Sequence, residues 1–300
     1  MLRNFIIPHQ DTKSKSKRPV ENLKGIIWIV QAAFWLSVMY ALVKIAGDKF
    51  SVFQILFIRQ IVMVAVSSPK IIRGLPESLQ TRRPGLQALR VILALITLTA
   101  SFLAYMKLPL PDATTLQFTK AFFTTIFGVI ILGEAAGFRR WTAISIGFLG
   151  VLLIVKPDED TLTNPYDLLA IASAASVSLG LILVRIVSKT DHPATTLVFQ
   201  SAPVGLIVAI PALLTWQPPT LREWALLISI GIVSWAAQTC NIKGFHLGEA
   251  SVVAPFDYTR LIYAAAFGYL IFGEIIGIST LLGAALICGA SLYALKLGKK

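Results

Sequence analysis

The sequence predicts an all-α membrane protein whose ten transmembrane helices form two inverted five-helix repeats. Three observations predict it. The 300 residues are 56% hydrophobic and only 14% charged, with a mean hydropathy of +0.74, whereas a soluble domain carries about 25% charged residues. The apolar residues fall in runs of about 20, the length a helix needs to cross a hydrocarbon core of roughly 30 Å. The two halves of the chain also resemble each other at an offset near 140 residues.

Composition excludes several other classes. Cys240 and Cys288 are the two cysteines; both lie in apolar runs and read as reduced packing residues, so the chain is no disulfide scaffold. Lys and Arg number 27 against 15 Asp and Glu, a net charge of +12. These basic residues sit between the apolar runs instead of clustering beside stacking aromatics. They therefore fit loops at an anionic membrane face and not a nucleic-acid surface. A β-barrel would need segments of about ten residues with alternating polarity. Helices satisfy their own backbone in lipid and are the expected state.

The elements follow in order. Residues 1–24 are polar, with Lys13, Lys15, Lys17 and Arg18, and read as a cytosolic tail. The spans are Gly25–Ala46, Ser51–Ile72, Leu86–Met106, Asp112–Leu132 and Trp141–Val155, the last starting nearer Phe138. Then come Tyr166–Val187, Ala194–Leu214, Arg222–Ile242, Glu249–Phe272 and Ile278–Leu295. The first apolar run is too long for a signal-peptide core and is expected to stay in the protein. Counting Lys and Arg in alternate loops gives 19 on the side of both termini and five on the other, with Arg59, Lys120 and Arg260 inside spans. That bias predicts cytoplasmic termini in a multi-pass protein of a bacterial inner (plasma) membrane. Asp158-Glu159-Asp160 then lies outside.

The repeat divides the chain into 25–157 and 158–300. Gln117-Phe118-Thr119-Lys120 aligns with Asp257-Tyr258-Thr259-Arg260, and Gly133-Glu134 with Gly273-Glu274. Six of these 18 ungapped positions are identical, among them Phe127-Gly128 with Phe267-Gly268. Leu42-Val43-Lys44 matches Leu183-Val184-Arg185 at offset 141, which also sets Arg59 opposite Gln200. Five spans per copy force the second copy to cross in the opposite sense. Inverted repeats of this kind are a transporter architecture, with a central site and a half-gate toward each face.

With these residues in place, the sequence resembles the drug/metabolite transporter superfamily, and within it the EamA-type proteins. The resemblance covers roughly residues 23–297. It is carried by Leu110-Pro111-Asp112-Ala113-Thr114 leading into Phe118-Thr119, by the run Leu247–Phe256 followed by Tyr258-Thr259, and by the two Gly-Glu pairs. It implies movement of amino acids, vitamins such as riboflavin, nucleotide-like metabolites or drugs, inward or outward. Lys120 departs from the family pattern, since many relatives carry a small or apolar residue there.

An ionisable group inside a span is costly and reads as functional by default. Lys120 and Arg260 are such groups, equivalent under the repeat, and Arg59 is a third. Asp257 is the one clearly intramembrane carboxylate. Asp257 and Arg260 share a helix face at i, i+3. They form either a closed salt bridge or a site in which Asp257 positions Arg260 and the surplus charge receives a substrate carboxylate or phosphate. Lys120 pairs either with Asp257 across the repeats or with a substrate anion. Gln117, one turn before Lys120, and Tyr263, one turn after Arg260, flank the same place. Pro255 is expected to kink its span. Arg59 either joins the site or snorkels to the outer headgroups. Gln31, with Trp28 and Trp35 on one face, reads either as an aromatic-lined polar site or as packing. Glu134 and Glu274 read as structural or gating groups. Small residues from Ala170 to Gly180, with Gly147, Gly150, Gly283 and Gly289, point to close helix packing and a homodimer edge.

No phosphate-binding loop appears, and His9, His192 and His246 are scattered, so neither ATP hydrolysis, an enzyme, a cofactor nor a metal site is expected. The leading reading is a secondary transporter of a small polar metabolite, an amino acid or other zwitterionic or anionic compound. A vitamin or cofactor-type cargo is the second reading, and a membrane scaffold without transport the third.

Overall fold

The computed structural model describes residues 21–73, 81, 83–133, 138–155, 164–187 and 193–297. The basic tail, Glu134 and the acidic stretch at 158–160 lie outside them. Within the described residues the chain is helical throughout. The helices are α1 (Asn22–Ala46), α2 (Val52–Arg73), α3 (Pro84–Lys107), α4 (Leu110–Gln117), α5 (Lys120–Leu132), α6 (Phe138–Val155), α7 (Pro165–Val187), α8 (Pro193–Leu214), α9 (Leu221–Leu247), α10 (Ala250–Val253), α11 (Thr259–Phe272) and α12 (Ile278–Leu297). A 3-10 turn, Ala254–Tyr258, joins α10 to α11.

Among the described residues, five stretches are long and apolar enough to cross a membrane: Asn22–Ala46, Pro84–Lys107, Leu110–Leu132, Pro165–Val184 and Leu221–Leu247. Val52–Val66, Ile144–Ile154, Pro203–Leu214 and Ile278–Ala290 are shorter apolar helices. The outward surface is apolar, with Ile130, Leu206 and Leu270 at least 72% exposed, as suits side chains that meet lipid.

Two of the expected spans are broken instead of continuous. The fourth divides at Phe118-Thr119 into α4 and α5, and the ninth divides through the 3-10 turn. The causes are local. The Thr119 and Thr259 hydroxyls each donate to the carbonyl three residues back, Leu116 and Phe256, at 2.7 Å. Pro255 has no N–H to continue an α-helical ladder. Both downstream helices end alike, on Gly133 at φ 69° and Gly273 at φ 66°, the left-handed cap that glycine enters without a Cβ penalty.

The packing pairs are regular. α1 lies on α9 and α3 on α7; α2 lies on α8 and α6 on α12; α1 also meets α11, and α5 meets α7. Without a hydrophobic drive between helices in lipid, such seams depend on close approach. Gly150 and Gly283 supply it between α6 and α12: a Cβ on Gly150 would stand 2.8 Å from the Gly283 carbonyl oxygen, and one on Gly283 would stand 2.7 Å from that of Gly150. Gly147 likewise admits the Phe122 ring. These glycines are thus used within the chain, while the face at Gly289 is open. In α7, Ala170, Ala174, Ser173 and Ser178 are fully buried, and Ser173 donates to the Thr97 carbonyl of α3 at 3.0 Å.

Polar contacts gather at the two ends. At one end Lys49 donates to Glu223 at 2.6 Å, the Ser51 and Thr215 hydroxyls lie 2.9 Å apart, and Gln54 donates to the Gln217 carbonyl at 2.7 Å. Lys44 pairs with Glu274 and donates to the Leu108 carbonyl at 2.6 Å, while Glu274 accepts the Leu110 N–H at 2.8 Å. At the opposite end Glu21 N–H donates to the Leu247 carbonyl at 3.0 Å, and Glu249 N–H donates to Asn22 at 2.9 Å.

Candidate functional site

The two helix breaks face each other at the centre of the bundle. Phe118, at the first, meets Tyr258, at the second, edge to face with ring centroids 4.6 Å apart. Each break opens into a helix whose first residues are charged: Lys120 begins α5 and Arg260 is second in α11. Serines from the first helix of each half fix these starts. Ser178 donates to the Lys120 carbonyl at 2.7 Å, and Ser37 donates to the Arg260 carbonyl at 3.2 Å. Both serines also reach the carbonyl one turn back, Ala174 at 2.7 Å and Ala33 at 3.0 Å.

Around these starts the charges are unevenly partnered. Lys120 Nζ lies 2.8 Å from Asp257 Oδ2, with side-chain exposures of 33% and 19%. Arg260 is only 5% exposed. Its guanidinium stacks on the Phe118 ring at 4.9 Å, and its Nε and Nη2 have no hydrogen-bond partner among the described residues. A closed bridge between Asp257 and Arg260 is one of the two readings that their i, i+3 spacing allows. Asp257 instead accepts a hydrogen bond from Lys120, in the other half of the chain, while staying within electrostatic range of Arg260. A buried donor left unpaired costs about 1–3 kcal/mol, and more when charged. Nε and Nη2 of Arg260 are therefore the unused donors of the cluster.

Aromatic side chains close the other side. Tyr40 and Tyr105 stack with centroids 3.6 Å apart, their hydroxyls engaged with Ser101 and with Thr114 at 3.2 Å. Tyr40 lies within electrostatic range of both Arg260 and Arg59. Arg59 does not snorkel outward: it donates from Nε to Ser234 at 2.9 Å and from Nη1 to Gln60 at 2.7 Å, beside the Phe102 ring.

The remaining residues singled out by the sequence divide. Gln117 is buried and donates to the Ala170 carbonyl at 3.3 Å. Tyr263 packs edge to face on Phe34, centroids 5.4 Å apart. Gln31 is exposed on α1, and Trp28 lies under Lys243 at 4.2 Å, so this pair stands toward the far end of α1 and outside the charged cluster. Sequence reasoning missed Tyr40, Tyr105 and the two serines. Ser37 and Ser178 share the offset of 141 already seen at Leu42 and Leu183, and extending that alignment would have found them. Nothing in the spacing of Tyr40 and Tyr105 brings them together.

Compared with known proteins, residues 23–156 and 164–295 match the EamA-like transporter family. The chain is 30% identical over 278 residues to an S-adenosylmethionine uptake transporter of Rickettsia bellii, covering 92% of this chain and 94% of that protein. It is 30% identical to a pseudopaline exporter of Pseudomonas aeruginosa, covering 88% and 93%. It is also 30% identical to a riboflavin transporter of Vibrio cholerae, covering 88% and 90%. A crystal structure 17% identical in sequence superposes with a TM-score of 0.64 over 93% of this chain and 99% of that one, a likeness of fold. The named relatives are transporters and not enzymes.

Proposed function

The chain belongs to the EamA-like transporter family, and from that premise we propose that it is a secondary transporter of a small polar metabolite, an amino acid or other zwitterionic or anionic compound, working by alternating access. The apolar helices and bacterial relatives point to a multi-pass protein of the inner membrane. In this reading ten spans form two oppositely threaded repeats, 25–157 and 158–300, with both termini cytoplasmic.

The observation that carries the proposal is the pair of broken helices meeting at Phe118 and Tyr258 with Lys120, Asp257 and Arg260 gathered at the breaks. Broken spans at mid-bundle are where transporters of inverted-repeat type bind cargo, since unwound backbone at membrane depth is tolerated only where it is buried in protein or lines a water-filled cavity. A twofold relation between the halves is supported by contacts that exchange in pairs. α1 on α9 answers α7 on α3, Ser37 with Arg260 answers Ser178 with Lys120, and Gly273 answers Gly133. Lys120, Asp257 and Arg260 set the charge of the site; Gln117, Tyr263 and Arg59 border it. Gln31 and Trp28 form its approach from the Asn22 end. The stacked Tyr40 and Tyr105 favour a second reading, a planar vitamin-like cargo.

The experiment is accessibility to a membrane-impermeant maleimide. In a background with Cys240 and Cys288 replaced by Ala, single cysteines stand at Lys49 and at Asn22, on opposite ends. Adding transported cargo should lower labelling at one end and raise it at the other. Labelling unchanged at both ends would overturn alternating access and favour the scaffold reading.

A further inference from the structure

We infer that the Nε–Nη2 edge of Arg260 docks a carboxylate of the cargo, so that the substrate class is carboxylic acids, amino acids among them, and not phosphate esters. This rests on the transport site proposed above and narrows what it takes.

The argument begins with which atoms are unpaired. Nε and Nη2 are the orphaned nitrogens of a side chain only 5% exposed. Their N–H bonds run parallel along one side of the planar guanidinium. That edge receives the two oxygens of one planar group in a bidentate pair, the geometry that distinguishes arginine from lysine. The neighbours are committed elsewhere. Asp257 Oδ2 is held by Lys120 at 2.8 Å. Ser37 is bonded to the backbone of Arg260 and not to its side chain. Tyr105 is engaged with Thr114, and Phe118 covers the guanidinium face.

The repeat explains why no carboxylate among the described residues bonds this edge. Lys120 pairs with Asp257; exchanging the halves turns that pair into Arg260 with Gln117. Gln117 carries no charge, and its amide nitrogen is given to the Ala170 carbonyl. The site therefore lacks one acceptor of unit charge. Lys120, Asp257 and Arg260 together carry one net positive charge, which one carboxylate balances; Arg59, bonded to Ser234 and Gln60, borders this trio and is not part of it. A phosphate monoester, at about −1.5 to −2, would leave negative charge buried beside Asp257.

The test uses the purified full chain with benzoate, benzamide and phenyl phosphate, and with L-phenylalanine and L-phenylalaninamide, each titrated by thermal shift. In the native protein the carboxylates should bind about tenfold or more tighter than their amides and than phenyl phosphate. In Arg260→Lys, which keeps the charge and loses the fork, that preference should fall to about threefold or less. Phosphate binding as tight as carboxylate, no shift with either carboxylate, or a preference intact in Arg260→Lys would overturn the inference. If Arg260→Lys does not fold, the carboxylate–amide comparison in the native protein decides alone. Transport separates the two claims. Carboxylate preference that depends on Arg260, together with proteoliposome uptake of the same acids that does not, leaves the docking edge standing and defeats the transport reading.

Discussion

Lys120 and Arg260 occupy equivalent places in the two halves yet meet opposite circumstances. Lys120 is a third exposed and holds a carboxylate at 2.8 Å; Arg260 is 95% buried and holds none on two of its nitrogens. The two places share a serine on each carbonyl and a threonine hydroxyl bonded three residues back at each break. The difference is made by one residue, Asp257 in the second half against Gln117 in the first. In the proposed site, one carboxylate serves two matched cations: Lys120 holds its hydrogen bond, and two nitrogens of Arg260 are left over for cargo.

The largest way to break this comparison is Asp257→Asn. It frees Lys120 without helping Arg260 and sets two like charges at one site. Removing one partner of a buried pair costs about 3–5 kcal/mol. Because Lys120 is 33% exposed, solvent screening reduces this to about 1–2 kcal/mol. Transport should fall by roughly a hundredfold with a lower melting temperature. The double variant Lys120→Gln with Asp257→Asn should melt above the single one, since removing both partners leaves no orphan. A single variant as stable and active as the native protein would refute the pair's role.

Gln117→Glu comes next and sharpens the comparison by restoring the missing acceptor. Arg260 should then be satisfied from within, and carboxylate affinity should drop about tenfold. Titration with benzoate checks this, and undiminished binding would count against the relation between Gln117 and Arg260.

Gly150→Leu tests a seam away from the charges. Its side chain would displace the Gly283 carbonyl, which a Cβ alone approaches to 2.8 Å, at a cost of about 1–3 kcal/mol. The melting temperature should fall while the charge-dependent selectivity of the folded fraction is kept. The smallest effect is expected of Arg59→Gln. Ser234 and Gln60 already take two of its nitrogens, so carboxylate binding should weaken by no more than about threefold. A loss as large as that of an Arg260 variant would show that Arg59 carries cargo charge as well.

The legible part of the fold is the part written in hydropathy and duplication. The helix sites, the equivalence of Lys120 with Arg260, and the weakness at Pro255 all follow from composition and spacing. The charge partners do not. Asp257 and Arg260 share a face at i, i+3 in either kind of helix, yet the hydrogen bond of Asp257 comes from Lys120, 137 residues away, and no local pattern signals it. Arg59 was open between lipid and core, because its anchor Ser234 lies 175 residues away and no local pattern signals it. Gln31 and Trp28 were grouped with the site by being polar and aromatic on one helix, and distance along that helix separates them.

Moving the carboxylate from one half to the other tests the central claim most directly. In Gln117→Asp combined with Asp257→Asn, affinity for benzoate is measured with and without Lys120→Gln and Arg260→Lys. The account predicts that Arg260 is now satisfied, that Lys120 is the free cation, and that binding becomes sensitive to Lys120→Gln and insensitive to Arg260→Lys. Binding that still depends on Arg260 after the exchange would contradict it.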